Sequence, residues 1–424
     1  MTATPLARSQ RYRHVIFWIL AAGYVLVYFH RLCPAVVAVD MMRDLHAGGT
    51  LAGLLASAYF YPYAAMQLPA GLLADSWGPR RTIAAFSLLA FAGSVLLGLA
   101  PTAAGAIAGR VLVGLGVSML FVATMKVLAE WFRPDEFATM AGFLMAMGGV
   151  GSLTAASPLA AMSAWVGWRM SFVVVGLLTL GLAALVWVFV RDRPADMGLP
   201  SPFTQAGPAP AAIPLREGVA KVLRHGPFWF LATWFFFELA IFFAFGGLWG
   251  GPYLMQVHGL SKGQAGGILS MLAVGMIVGS PFLSWASNRL LRGRKPVIVL
   301  CSAATLGITA VLAFRTASVA VWALYLLCFG LGITASAVVT IGFTTAKELF
   351  PVQMAGTATG LVNLFPFAGG AVFQPVLGAV LEAHGRVEGA FTVAGYRSAF
   401  LVLVGCAALA LAASLGLKET LRRA

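Results

Sequence analysis

The sequence predicts an all-α integral membrane protein that crosses the bilayer twelve times, in two similar bundles of six helices. Three observations predict it. Of 424 residues, 60% are hydrophobic and 10% charged, with a mean hydropathy of +0.90; a soluble domain carries about 25% charged residues. Twelve apolar runs reach the length of about 20 residues that a spanning helix needs. A single polar stretch divides them six and six.

The runs lie at roughly 15–40, 50–74, 82–100, 103–129, 137–161, 168–190, 228–254, 262–287, 296–314, 318–346, 353–381 and 396–417, each near the length a bilayer demands. The first follows Arg8, Arg11, Arg13 and His14. It is about twice as long as the core of a signal peptide, so it is expected to stay as the first helix. Interior prolines (Pro34, Pro62, Pro69, Pro158, Pro281, Pro366, Pro375) are tolerable where neighbouring helices satisfy the freed backbone groups. The many glycines suit close helix packing.

Lysine and arginine set the orientation. With the N-terminus inside, that side holds nineteen of the 28 basic residues; the other side holds six, namely Arg43, Arg169, Lys262, Arg315, Arg386 and Arg397. Both termini are therefore expected in the cytoplasm, with the chain in a bacterial-type inner membrane. The net charge of +14 is read as topology, because no basic run is interleaved with aromatics as a nucleic-acid surface would require. Cys33, Cys301, Cys328 and Cys406 lie within or beside apolar runs at no paired spacing. They read as small buried hydrophobes rather than disulfide partners or metal ligands.

The stretch 191–226, with RDRPADMGLPSPFTQAGPAPAAIPL, is rich in Pro, Ala and Gly and lacks apolar periodicity. It reads as a cytoplasmic linker between a bundle at 1–190 and one at 227–424. The halves echo each other. Gly167-Trp-Arg-Met-Ser-Phe172 enters the sixth run and Gly395-Tyr-Arg-Ser-Ala-Phe400 the twelfth. Glu130-Trp-Phe132 with Met140-Ala-Gly142 precedes the fifth, and Glu348-Leu-Phe350 with Met354-Ala-Gly356 the eleventh. Two similar halves are what alternating access to a midplane site requires.

GLLADSWGPRR, Gly71 to Arg81, is a charged turn between the second and third runs, and charge belongs in a loop. Gly71 is expected to let two helices approach, Asp75 to offer a carboxylate at a helix end, and Gly78 to permit the reversal. Arg80 and Arg81 are expected to pair with Asp75 or acidic lipid. A degraded copy, SWASNRLLRGRK, carries Asn288 where Asp is expected. The turn resembles the loop between helices 2 and 3 of the major facilitator superfamily, and Arg110-Val-Leu-Val-Gly114-Leu-Gly116 resembles that superfamily's helix-4 motif. The resemblance covers essentially the whole chain. It implies a non-enzymatic, monomeric secondary transporter of the lipid bilayer that moves a small molecule by rocker-switch alternating access, without a cofactor.

Charged residues deep in spans are functional candidates by default. Counted from Val15, Arg31 lies roughly 24 Å along the first helix, and Arg110 sits at similar height on the fourth. Tyr28-Phe-His30-Arg31 is similar to the first helix of the organic-anion branch, where a Tyr-x-x-Arg segment supplies the anion-binding arginine. A guanidinium stays charged when partly desolvated and binds carboxylate or phosphate bidentately. The same resemblance makes Arg110 either a substrate ligand or a structural and coupling residue. Tyr24, Tyr28, His30, Tyr59, Tyr63 and Asn363 complete the candidate substrate set. Two places where that branch often carries an acid hold His30 and Val117 here. Glu238, alone of fourteen acidic residues well inside a span, is the candidate proton carrier, with His30 second. Lys126 reads as an interfacial anchor or a partner of Glu130, and Trp249 and Tyr253 as an aromatic belt.

No Walker-type loop is present, so ATP-driven transport is unsupported, and the six histidines lack metal-ligand spacing. Import of a small organic anion, driven by protons, is the leading expectation. The rivals are a drug or metabolite exporter and a transporter-like ligand sensor. Against export, Gly148-Gly-Val-Gly151 and Ala156-Ser-Pro158 depart from the Gly-x-x-x-Gly-Pro that the superfamily's antiporters often show in helix 5.

Overall fold

The computed structural model describes residues 5–200 and 215–421; residues 201–214 of the expected linker lie outside them. Ten helices among the described residues are long and apolar enough to cross a membrane. The second expected run is divided into three short helices and the fifth is interrupted after Thr154, and the arrangement is consistent with twelve passes. Helix α1 runs as Pro5–Leu32 and Pro34–Asp44, and α2 as Gly49–Ser57, Phe60–Ala65 and Gln67–Ser76. Next come α3 (Pro79–Leu99) and α4 (Ala103–Val117, Leu120–Trp131). Helix α5 (Pro134–Thr154) resumes at Ser157, and its continuation passes into α6 at Gly167 (φ 77°), ending at Phe189.

In the second half, α7 comprises Gly226–Ala244, a π-helical turn Phe245–Trp249, and Gly250–Gln256. The remaining helices are α8 (Lys262–Trp285), α9 (Arg294–Phe314), α10 (Val321–Ala337 and Phe343–Glu348), α11 (Val352–Val362 and Leu364–Ala383) and α12 (Val393–Gly416). A two-residue hairpin, β1 (Arg386–Val387) with β2 (Ala390–Phe391), joins α11 to α12. The last part of the expected linker is not featureless. Leu215–Arg224 forms a helix in which Val222 is buried while Lys221 bonds Glu217 at 2.7 Å.

Three helices begin at a glycine that has no side chain to cap the free N–H groups of the first turn. In each case a distant carboxylate does so. Asp192, just past α6, accepts from Arg80 N at 2.7 Å, beside Gly78. Glu419, just past α12, accepts from Arg294 N at 2.8 Å and Lys295 N at 3.2 Å, beside Gly293. The pair restates the two-fold repeat. Burial alone would raise the Glu419 carboxyl, but these N–H groups hold it below the usual carboxylate range. That cap therefore stabilises at neutral pH and is lost as pH falls through its depressed folded-state pKa. The third case crosses between halves: Glu382 of α11 accepts from Thr50 N and Oγ1 of α2, at 3.1 and 2.7 Å, beside Gly48.

The charged turn departs from expectation. Asp75 pairs with Lys126 at 2.6 Å, and Lys126 also bonds the Ala74 carbonyl, so Lys126 is neither a free anchor nor the partner of Glu130. Arg80 turns to the Trp187 carbonyl and ring, and Arg81 is exposed. Gly71 has open space around it, whereas Gly78 (φ 85°) does make the reversal. Gly114 and Gly116 are close-approach positions: an added Cβ would meet Tyr59 O at 2.2 Å and Ala90 N at 2.3 Å. In the second copy Asn288 bonds Arg294 at 2.7 Å, and Arg294 also bonds Glu348. Trp249 and Tyr253 are buried, donating to the Gln374 and Thr316 carbonyls, and form no belt.

The two halves press together at the end remote from the termini. A Cβ on Gly378 would meet Gly49 O at 2.1 Å, one on Gly53 would meet Pro375 Cα at 2.4 Å, and one on Gly251 would meet Ala35 O at 1.6 Å. Backbone thus packs on backbone, as small residues allow. Lys262 adds an ion pair with Asp40 and a bond to Ser163. Ser157 and Ser270 meet at 2.9 Å. Gly378→Val is expected to force this end apart. Maleimide labelling of a cysteine placed at Ser270, which is buried here, should then accelerate several-fold; an unchanged rate would show that the seam does not depend on the glycine contact.

Candidate functional site

Helix α1 breaks because Pro34 has no N–H to offer the His30 carbonyl. In a bilayer that carbonyl needs another donor, and Arg110 Nη1 supplies one at 2.7 Å. Arg110 Nη2 donates to the Ala56 carbonyl at 3.1 Å, where α2 breaks before Phe60. Arg110 is 1% exposed, its Nε is unpartnered, and Nη1 also lies 3.8 Å from Cys33 Sγ. The guanidinium therefore ties two broken helices together. It shares the height of Arg31, as expected, but faces backbone rather than a ligand space.

Two further breaks are closed in the same way. Pro375 frees the Ala371 carbonyl of α11, and Tyr61 of the other half donates to it at 3.0 Å. The π-helical turn in α7 disturbs the bonding pattern that would serve the Phe243 carbonyl, and Gln374 Nε2 donates there at 2.9 Å.

Arg31 stands where these breaks converge. It is 4% exposed, and its guanidinium lies over four aromatic rings: Tyr28 at 4.4 Å, Phe367 at 4.9 Å, Tyr63 at 5.1 Å and Phe243 at 5.8 Å. Two rings come from the first half and two from the second. No carboxylate among the described residues pairs with it, and its Nε has no partner. Tyr59 and Tyr63 stack at 5.5 Å, and Tyr24 packs edge-on against Tyr28 at 5.3 Å. Tyr59 is committed to the Val27 carbonyl and Tyr24 to Met145 Sδ.

His30 is fully buried with neither ring nitrogen hydrogen-bonded. Asn363 donates to Gln67 Oε1 at 2.8 Å, a bridge between α11 and α2 one turn beyond Tyr63. Gln67, Phe243 and Phe367 were not among the residues expected at the site. Their apolar or amide character within apolar runs carried no signal.

Glu238 faces away from Arg31. Its Oε1 accepts from Thr305 of α9 at 2.5 Å and its Oε2 has no partner. It is 1% exposed and points into the second bundle beside Cys301, behind the wall that meets Arg31. The two side chains do not share a cavity. Side-chain direction around a helix, unlike depth along it, cannot be read from a span that is apolar on every face.

A two-bundle helical membrane protein with broken helices converging on a buried cation at the seam has the build of a secondary transporter. The family model of the Major Facilitator Superfamily matches residues 20–374 and 243–423, and the chain belongs to that superfamily of small-solute transporters. It is 25% identical over 417 residues to a probable sulfoacetate transporter of Cupriavidus necator, covering 94% of this chain and 93% of the relative. It is 25% identical to the hexuronate transporter of Bacillus subtilis, covering 92% of each. To a membrane sensor protein of Salmonella typhimurium it is 24% identical, covering 89% and 87%. Among solved structures, an inward-facing, unoccupied bacterial homologue of the lysosomal transporter Spinster superposes with a TM-score of 0.76 at 17% identity, covering 95% and 97%. The D-xylose–proton symporter does so with 0.76 at 14%, covering 96% and 99%.

The two arginines differ in what their loss should do. Arg110→Gln strips charged hydrogen bonds worth about 1.5–3 kcal/mol each from carbonyls left in an apolar interior, so Tm should fall by several degrees. Arg31→Leu removes a buried charge that has no counter-ion, a replacement that is often neutral or stabilising. Thermal unfolding without ligand should show no fall in Tm for it.

Proposed function

We propose that the protein is a secondary active transporter that imports a small organic anion, coupled to protons, by rocker-switch alternating access. The observation that carries this reading is Arg31: a buried guanidinium, on the seam between halves, with aromatic faces but no acidic partner. Burying an unpaired charge is costly, and an anionic ligand would offset that cost. Relatives named as sulfoacetate and hexuronate transporters support the anion class.

On the expected topology the tightly packed end is the outer one, so this arrangement is closed to the outside. Binding at Arg31 would displace rings belonging to both halves, which gives the ligand a means of biasing how the halves meet. Arg110 then acts as a positioning residue, holding the broken segments of α1 and α2 that carry Arg31, Tyr59 and Tyr63. Tyr28 and Tyr63 face the ligand directly, while Tyr24, Tyr59, His30 and Asn363 surround it. On the same reading the working unit is a monomer in the inner membrane.

The test is thermal stabilisation of the purified protein by carboxylates, phosphate esters, neutral sugars, amino acids and cationic drugs, since a ligand that binds only the folded state raises Tm. An anion should stabilise the wild type and not Arg31→Ala. Stabilisation by hydrophobic cations alone would replace the importer with an exporter. Binding without uptake into proteoliposomes would favour a sensor, a reading that the sensor relative keeps in view.

Coupling rests on Glu238 and His30, each buried in a span with an unpartnered polar atom. Glu238→Gln should abolish uphill uptake driven by a pH gradient while leaving counterflow exchange intact. If uphill uptake survives that change, the proton site moves to His30.

A further inference from the structure

The same site restricts what kind of anion it takes, an inference that rests on Arg31 being the anion ligand. The first restriction is charge. Of the two buried arginines, Arg110 has already given Nη1 and Nη2 to the His30 and Ala56 carbonyls. Arg31 alone remains, and one guanidinium balances one negative charge. A phosphate ester carrying two would leave an uncompensated charge in a buried space.

The second restriction is the wall. Phe243 and Phe367 lie nearly parallel, 17° apart with centroids at 6.0 Å. Phe60 adds a ring 5.0 Å from Phe243, and Tyr63 sits 4.4 Å from Phe367. These surfaces offer π-faces and few hydrogen-bonding atoms. A sugar acid would bury several hydroxyl groups there, and unpaired buried hydroxyls are penalised. A flat apolar body would instead stack, trading the ring–ring contacts of the empty site for ligand–ring contacts of the same kind.

We propose that the substrate is a monoanionic aromatic carboxylate, with its carboxylate forked on Arg31 and its ring inserted between Tyr63 of the first half and Phe243 and Phe367 of the second. No bond is made or broken; the ligand takes the place of the phenylalanine faces now lying over the guanidinium.

The experiment is a titration of the full-length protein in detergent with benzoate, glucuronate, glucose 6-phosphate and benzamide, read by Tm and by isothermal calorimetry. Benzoate should bind at least tenfold more tightly than glucuronate or the phosphate ester. Its affinity should fall about tenfold in Phe367→Leu, a change that keeps the site apolar and filled, and be lost in Arg31→Ala. Tighter binding of glucuronate or glucose 6-phosphate, still dependent on Arg31, would overturn the aromatic inference and leave the anion reading standing. Binding of benzamide as tight as benzoate and indifferent to Arg31 would overturn both. Absence of any benzoate binding, with the protein shown folded by a cooperative melt, would also overturn the inference.

Discussion

A backbone carbonyl inside a bilayer has no water to turn to, and much of the architecture around Arg31 follows from that constraint. Proline and a π-helical turn break α1, α11 and α7 at similar depth, and each break frees a carbonyl. Each is answered by a side chain from another helix: Arg110 for His30, Tyr61 for Ala371, and Gln374 for Phe243. The breaks are therefore tolerated only because the bundle is assembled. They also turn the helices around Arg31, so the proposed binding residues and the kinks are neighbours.

Arg31 is the counterpart of that arrangement. The guanidinium lies over ring faces and beside the Tyr59 and Tyr63 hydroxyls, with no acid to pair with. A cation–π contact is worth roughly 0.5–2 kcal/mol, enough to keep the side chain in place and less than a bidentate pairing with a carboxylate would give. On the proposed reading, a site left in that state is stable when empty and open to an anion. Because Tyr28 and Tyr63 belong to one half and Phe243 and Phe367 to the other, whatever displaces them acts on both bundles together.

The gross architecture was legible from apolar length and the position of the linker, since both depend only on composition along the chain. The depth of Arg31, and its level with Arg110, followed from the rise per residue. What escaped was direction and long-range partnership. Glu238 lies at the expected depth but faces Thr305, because Phe235, Phe236, Phe237, Phe242 and Phe243 make every face of α7 apolar and leave no polar stripe to orient it. Asp75 chose Lys126 over the adjacent arginines, a pairing set by how α2 packs on α4 rather than by distance in sequence. Asp192 and Glu419 lie far in sequence from Gly78 and Gly293, and only the fold brings them beside those helix starts. Leu215–Arg224 was hidden by averaging it with the Pro- and Ala-rich stretch before it.

The contacts that join the halves divide into two kinds, and the division bears on how such a molecule can move. At the end remote from the termini, glycine brings backbone against backbone, with polar additions that include Lys262 to Asp40 and Ser163, Ser157 to Ser270, Arg386 to Ala47, and Glu382 to Thr50. Apolar lipid does not drive such surfaces together, so their cohesion is packing and hydrogen bonding that water could replace if the end opened as proposed. The cap that Glu382 gives α2 is borrowed from the other half, unlike the caps of α3 and α9, which come from the same bundle. Opening that end would leave the first turn of α2 to be served by water, while α3 and α9 remain capped. The caps of α3 and α9 stay within one bundle and that of α2 crosses between them, a difference that the proposed rocking of the bundles would exploit.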